Sequence, residues 1–278
     1  MASLPERGAS PIREGQYMRW LRFSLPGQDI LRYGLLDDED RITEIQGAPW
    51  ETYAKTASRH ALADVKTEVP LIPRTFYAAG LNYVKHIREY AAQTGKEINV
   101  PAQADIGYRA VNALIADGED VIIPVGATQV EYEGELVVVI GKRARHVSKE
   151  EALQCVFGYT IGNDVSERVW QASDRTFWRC KNSDTFKPMG PWIDTEFDLS
   201  GAETVVSVND AVTTRFDTGD MLFDIPTFIS RMSQNLTLYP GDVIWMGTDG
   251  HSPHLRDGDR VRVEITGLGA LQNRFVRA

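Results

Sequence analysis

The sequence predicts an α+β fold rich in strand, and three observations carry that expectation. Short apolar or alternating runs bounded by Gly, Pro, Asn and Asp recur along the chain, while helical patterns are few and short. One run, residues 136–140, is apolar without a break, as in a strand covered on both faces. Another, residues 260–265, alternates with Val261, Val263 and Ile265 on one side, as in an antiparallel strand half exposed to water.

Taken in order, residues 1–15 mix Pro, Gly and Ser with charges and are expected to form a loose tail. Strands are expected over residues 16–25, 30–36 and 41–45, the last two joined by the turn Asp37-Asp38-Glu39-Asp40, with a short helix over 50–60. These make a small N-terminal α+β domain, residues 1–69, which ends in an extended linker punctuated by Pro70 and Pro73. The larger domain, residues 70–278, opens with a strand at 76–79 and a helical segment within 80–90. A polar stretch, 94–105, containing Gly95 and Pro101, follows as a candidate lid. A strand is expected at 121–124. Ser148-Lys149-Glu150-Glu151 reads as a capping box, opening a helix that carries Ala152, Leu153, Val156 and Phe157 and is closed by Gly158. Pro226 suits the first turn of a helix over 226–233, and Pro240-Gly241-Asp242 turns the chain into a strand at 243–246.

Composition narrows the function. The 278 residues are 42% hydrophobic and 25% charged, ordinary globular material. With 39 acidic against 30 basic residues the net charge is −9, and no basic cluster breaks the pattern. Nucleic acid and an anionic membrane surface are poor partners for such a chain. Cys155 and Cys180 have neither C-x-x-C nor zinc spacing, so no zinc site or disulfide scaffold is expected. Residues 1–15 lack the apolar core of a secretory sequence, and no apolar run approaches the ~20 residues of a membrane helix. A cytoplasmic protein is expected. Neither G-x-G-x-x-G nor a P-loop is present.

The chemistry gathers around Glu131-Tyr132-Glu133-Gly134-Glu135, directly before the apolar run. In a strand the three Glu share one face and are carried toward a core. Buried like charges are costly, and sharing a divalent cation relieves the cost; oxygen ligands suit Mg²⁺, Mn²⁺ or Ca²⁺. An exposed acidic strand end is the alternative. A second apolar strand, Gly158-Tyr159-Thr160-Ile161-Gly162-Asn163, delivers Asp164 at its polar end. His86 and Glu89, three apart on a helical turn, can act as a base and the carboxylate that orients it, or else form a solvated surface pair.

The motifs Y-E-x-E-L-x-V-V-I-G, G-Y-T-I-x-N-D-V-S-x-R and K-x-x-D-T-F-x-P-x-G-P resemble the fumarylacetoacetate hydrolase family, over residues 76 to the C-terminus. The resemblance implies a mixed β-sandwich roll and a homodimer. It implies Glu133, Glu135 and Asp164 as metal ligands, His86 and Glu89 as the pair that activates water in a lid motif, and Lys181 facing metal and substrate. Without it, Lys181 reads as an ordinary surface lysine. Arg168 and Gln171, four and seven residues after Asp164, fall on the metal's side of a helical turn, to contact substrate or to buttress Asp164. Gly247-Thr248 resembles the family's G-T-P-x-G turn, which meets the substrate carboxylate, although Asp249 stands in place of Pro and Gly250-His251-Ser252 follows. The altered turn is expected to add an acid and a histidine to the pocket rim.

The expected activity is metal-dependent hydrolysis of a C–C bond in a small-molecule 2,4-dioxo acid, such as an acylpyruvate. The same site also suits decarboxylation of a 2-oxo acid or isomerisation of a dienoate, since the fold does not fix the reaction. A non-catalytic metal- or ligand-binding relative is the rival from another class. The presence of both His86 and Glu89 counts against it.

Overall fold

The computed structural model describes residues 19–95, 97 and 100–278, without the side chains of His86, Glu89, Tyr90, Gln93 and Thr94. The tail expected over residues 1–15 lies outside the described residues, as does part of the expected lid.

The chain begins with strands β1 (Arg19–Ser24), β2 (Arg32–Leu36), β3 (Arg41–Gln46), β4 (Ala54–Ala61) and β5 (Lys66–Glu68). β6 (Phe76–Ala79) leads into α1 (Val84–Thr94), and β7 (Ile106–Tyr108), β8 (Leu114–Ile115) and β9 (Asp120–Ile123) follow. Next come β10 (Val130–Glu131), β11 (Gly134–Ile140), α2 (Lys149–Ala152), β12 (Val156–Asn163), β13 (Ser166–Glu167) and α3 (Arg168–Ser173). The chain closes with β14 (Lys187–Asp194), β15 (Glu203–Val208), β16 (Ala211–Asp217), α4 (Ile225–Asn235), β17 (Val243–Trp245), β18 (Arg260–Ile265) and β19 (Gly269–Arg277). The fold is α+β and rich in strand, as the sequence predicts.

One mixed sheet runs in the order β4-β3-β2-β1-β14-β12-β11-β17-β6-β7, and a second runs β16-β15-β18-β19-β9. The strands of the N-terminal segment are continuous with the large sheet, because β1 pairs with β14 through Arg19 opposite Asp194 and Trp20 opposite Ile193. β11 is buried along its whole length. Its residues alternate between two cores: Leu136, Val138 and Ile140 join Val206, Val263 and Phe275 of the second sheet, while Val137 and Val139 join Phe76, Met189, Val243 and Trp245. That double cover is what an unbroken apolar strand requires.

Two local expectations are corrected. The helix expected over residues 50–60 is instead β4, paired antiparallel to β3. Ala, Lys and Arg give this stretch a helical composition, and the free edge of β3 overrides it. The capping box is present, with Ser148 accepting from the Glu151 N–H and the Glu151 side chain accepting from the Ser148 N–H. The helix it opens stops at Ala152, however, and Val156 and Phe157 begin β12. Gly158 is therefore no helix cap: it lies in β12, where a Cβ would come within 2.5 Å of the Asp194 carbonyl oxygen of β14. Among the described residues no helix is long and apolar enough to cross a membrane.

Gly162 shows how tightly the central strands are packed. It pairs with Glu135, and a Cβ there would meet three atoms of the buried Trp245 ring at 2.7–2.9 Å. Gly162→Ala should cost about 1–3 kcal/mol through overpacking, read as a lower urea midpoint. An unchanged midpoint would show that the indole has room to move.

Candidate metal centre

The acidic segment is interrupted between β10 and β11, and the interruption builds the site. β10 pairs with β13 and β11 with β12, leaving Tyr132 and Glu133 between the two ladders. The gap is closed by the Asp164 N–H donating to the Glu133 carbonyl at 2.8 Å, and by the Glu133 N–H donating to Asn163 Oδ1 at 3.0 Å. Glu133 and Asp164 are thereby fixed side by side at the ends of neighbouring strands. Glu135 follows on β11, and its carboxylate accepts the Gly247 N–H at 2.8 Å. Glu133, Glu135 and Asp164 are buried, and each offers an oxygen within 4.8 Å of the others.

Cations surround this set. Lys181 Nζ donates to Glu133 Oε2 at 2.6 Å, Asp164 Oδ2 at 2.8 Å and Ser166 Oγ at 2.7 Å. Its place follows from the loop before it, where the Cys180 carbonyl accepts the Glu167 N–H of β13. Arg168 begins α3 and bridges two carboxylates, reaching Glu131 Oε2 at 2.6 Å and Glu133 Oε1 at 2.7 Å. It therefore steadies Glu131 and Glu133 rather than Asp164, and Gln171 Oε1 accepts from its Nη1 at 2.8 Å. Glu131 also meets His254 Nδ1 at 3.1 Å, which leaves it outside the cluster of three.

Two cations were not foreseen from the sequence. Arg109, just past β7, reaches Asp164 Oδ1 at 3.1 Å through Nε and Oδ2 at 2.8 Å through Nη2. Lys187, wholly buried at the start of β14, lies 2.7 Å from Asp164 Oδ1 and donates to the carbonyls of Val165 and Phe186. A lysine between Phe186 and Pro188-Met189 in an otherwise apolar strand was a readable signal, because a buried ammonium needs an anion. Arg109 gave no local signal. Only the pairing of β7 with β6 brings it to the site.

The electrostatics divide the carboxylates. Burial pushes Asp164 up, but Arg109, Lys181 and Lys187 overcome it and hold the group well below the ordinary range. Burial, reinforced by the Asp164 and Glu133 charges, holds Glu135 well above that range. Burial also brings Lys187 down to about 8, against the pull of Asp164. Three buried carboxyl groups with converging oxygens, one of them raised by burial and by the charges beside it, fit a hard divalent cation, whose charge would favour the ionised form of each.

The remaining expectations fall unevenly. Thr248 is buried beside the Gly247 turn, and its hydroxyl lies 3.5 Å from the Asp249 carbonyl. Asp249 is not at a rim: it is 8% exposed, whereas His251 is exposed. α1 carries His86 and Glu89, whose side chains lie outside the described residues.

Comparison with known proteins gives the site its context. The Fumarylacetoacetate (FAA) hydrolase C-terminal family matches residues 75–276, and the Rv2993c-like, N-terminal family matches residues 18–68. The chain is 32% identical over 276 residues to a 2,4-didehydro-3-deoxy-L-rhamnonate hydrolase of Sphingomonas sp., covering 91% of this chain and 94% of that one. It superposes on a 5-carboxymethyl-2-hydroxymuconate delta-isomerase from Mycobacterium smegmatis with a TM-score of 0.84 and 34% identity, covering 94% of this chain and 100% of that one. A maleylpyruvate hydrolase from Sphingobium sp. SYK-6, in complex with manganese (II) ion and pyruvate, matches with a TM-score of 0.75 and 28% identity, covering 94% and 100%. The family match over residues 75–276 and these relatives show that the chain belongs to the fumarylacetoacetate hydrolase family.

Proposed function

We propose that the protein hydrolyses a C–C bond in a 2,4-dioxo acid with the help of one divalent cation. The observation that carries this reading is the buried Glu133, Glu135 and Asp164 set with Lys181 bonded between two of its members. Glu133, Glu135 and Asp164 would hold a Mg²⁺ or Mn²⁺ ion, or Ca²⁺, which would supply Lewis-acid polarisation of the 2-oxo acid. The hydrolase and the manganese- and pyruvate-bound relative support both the metal and the substrate class.

The chain's own residues then have distinct tasks. His86, oriented by Glu89, accepts a proton from water, whose oxygen attacks the C4 carbonyl. The C3–C4 bond breaks, its electron pair passes to C3 as the enolate of a 2-oxo acid, and His86 returns the proton to C3. The products are a carboxylic acid and a 2-oxo acid. Lys181 stabilises the enolate oxygen. Its three donors are engaged on Glu133, Asp164 and Ser166, so contact with substrate would require it to give up one of those bonds. Arg168, Gln171 and Thr248 hold the substrate's polar groups.

A second reading, isomerisation of a dienoate, is favoured by the isomerase among the superposed structures. It shares the enolate and needs no attacking water. A screen of acylpyruvates and muconic-type dienoates against the Mn²⁺-loaded protein separates the two, and turnover of dienoates alone would overturn the hydrolase reading.

Metal binding itself is open to measurement. Mn²⁺ titrated into Glu133→Ala and Asp164→Ala should bind at least tenfold more weakly than to wild type, in keeping with the loss of an anionic oxygen ligand. Burial and the Asp164 and Glu133 charges raise Glu135 well above the ordinary carboxylate range, so cation binding there competes with a proton. Affinity should therefore rise with pH until the raised Glu135 range is passed, and then level off. Wild-type affinity in both variants would remove the assignment.

The division of labour between water activation and enolate stabilisation gives another test. General-base catalysis is worth about 10²–10⁴-fold, so His86→Ala should depress acylpyruvate hydrolysis by roughly that factor and spare any isomerisation. Lys181→Met should depress both. Equal losses for the two reactions in His86→Ala would contradict the role given to His86.

A further inference from the structure

The loop over residues 247–252 is strapped to the ligand-bearing segment at both ends. At its start the Gly247 N–H donates to Glu135 Oε2 at 2.8 Å, and at its end Ser252 Oγ accepts the Tyr132 N–H at 3.1 Å. Within it, the backbone is fixed on either side of Asp249. Gly247 has φ +89° and Gly250 φ +78°, where a side chain is strained. A Cβ on Gly247 would come within 3.2 Å of Asn82, and one on Gly250 within 2.6 Å of Thr214. Asp249 therefore sits in a loop tied at both ends to the segment that carries Glu133 and Glu135.

Its carboxylate has a distinctive environment. Asp249 is 8% exposed, and its Oδ1 is buried without a hydrogen-bond partner. Glu131, Glu133 and Asp164, by contrast, each meet a cation, and Glu135 accepts a backbone N–H. Tyr83, pushed up first by burial and then by the Glu135 and Asp249 charges, lies within electrostatic reach of both acids. Tyr83 cannot serve as the missing donor, because its hydroxyl already donates to the Thr218 carbonyl at 2.8 Å. Leaving a buried acceptor unpaired is costly, and a bound molecule that supplies the donor removes that cost.

We propose that Asp249 is a specificity-determining residue that accepts a hydrogen bond from a hydroxyl on the substrate's carbon chain, so that the preferred substrates are hydroxylated 2-oxo acids. The inference rests on the reading of this site as one for 2-oxo acids and adds the class of their tail. One orphaned oxygen asks for one donor. A hydroxyl supplies one, whereas an ammonium would bring three to a place with a single vacant acceptor. A second metal ion is not favoured, since Asp249 belongs to no group of three potential ligands among the described residues.

The test is binding of 2-oxopentanoate, 4-hydroxy-2-oxopentanoate and 5-hydroxy-2-oxopentanoate to the Mn²⁺-loaded protein by isothermal titration. None of the three has a 4-oxo group, so the result does not depend on hydrolysis. A hydrogen bond to a charged acceptor predicts about 10- to 100-fold tighter binding of at least one hydroxylated acid than of its parent. Asp249→Ala should bring that ratio close to one, and Asp249→Asn, which keeps an oxygen in place, should retain part of it. Because Oδ1 has no partner in the protein, Asp249→Ala should melt no lower than wild type, which separates lost recognition from lost folding. No preference in the wild type, or a preference that survives in Asp249→Ala, overturns the proposal. Failure of any 2-oxo acid to bind overturns it together with the reading of the site. Failure to hydrolyse acylpyruvates, with the preference intact, removes only the reaction.

Discussion

Asp164 is the point on which the site's electrostatics turn. Its two oxygens meet Arg109, Lys181 and Lys187, all of them largely buried, and its backbone N–H closes the gap in the acidic segment by donating to Glu133. Such a cluster is stable only if every charge is answered, because a buried ion left alone costs several kcal/mol. Removing Asp164 would leave Lys187 with only the Val165 and Phe186 carbonyls and Lys181 with Glu133 as its one carboxylate partner. The arrangement also has a chemical result: its cations hold Asp164 well below the ordinary carboxylate range, while burial and the neighbouring charges push Glu135, which accepts a backbone N–H, well above it.

Much of this could be read from the residues alone. The double cover of β11, the alternation of β18 and the capping box of α2 are local patterns, and local patterns survive into the fold because packing reinforces them. The carboxylate cluster was legible for a similar reason: Glu133 and Glu135 are two apart beside an apolar strand, and Asp164 ends its neighbour. What failed to show was long-range. β4 has the composition of a helix and is a strand because β3 offers it an edge. Arg109 reaches Asp164 only through the pairing of β6 with β7, which nothing near Arg109 announces.

The glycines of the central strands belong to the same logic. Gly158 lets β12 approach β14, and Gly162 lets the Trp245 ring lie under the strand pair that carries Glu135. Neither needs a positive φ. They are glycines because another group occupies the place of a side chain, and the position of the carboxylates depends on that close approach. The acidic residues supply the chemistry, and their apolar surroundings supply the precision.

The pairing of β1 with β14 covers a strand edge that would otherwise be open. β14 is almost wholly buried, and β1 covers the flank of its Ile193–Asp194 end that β12 does not. Without that partner, backbone N–H and C=O groups beside an apolar strand would be open to any passing strand, the usual template for aggregation. Among the described residues the N-terminal strands move this margin of the sheet outward to β4, where Lys55 and Arg59 are exposed, and charged residues on an edge strand disfavour pairing with another chain. The N-terminal strands, farthest from the carboxylates in the strand order, thus place three further strands between β1 and the margin on that side of the sheet.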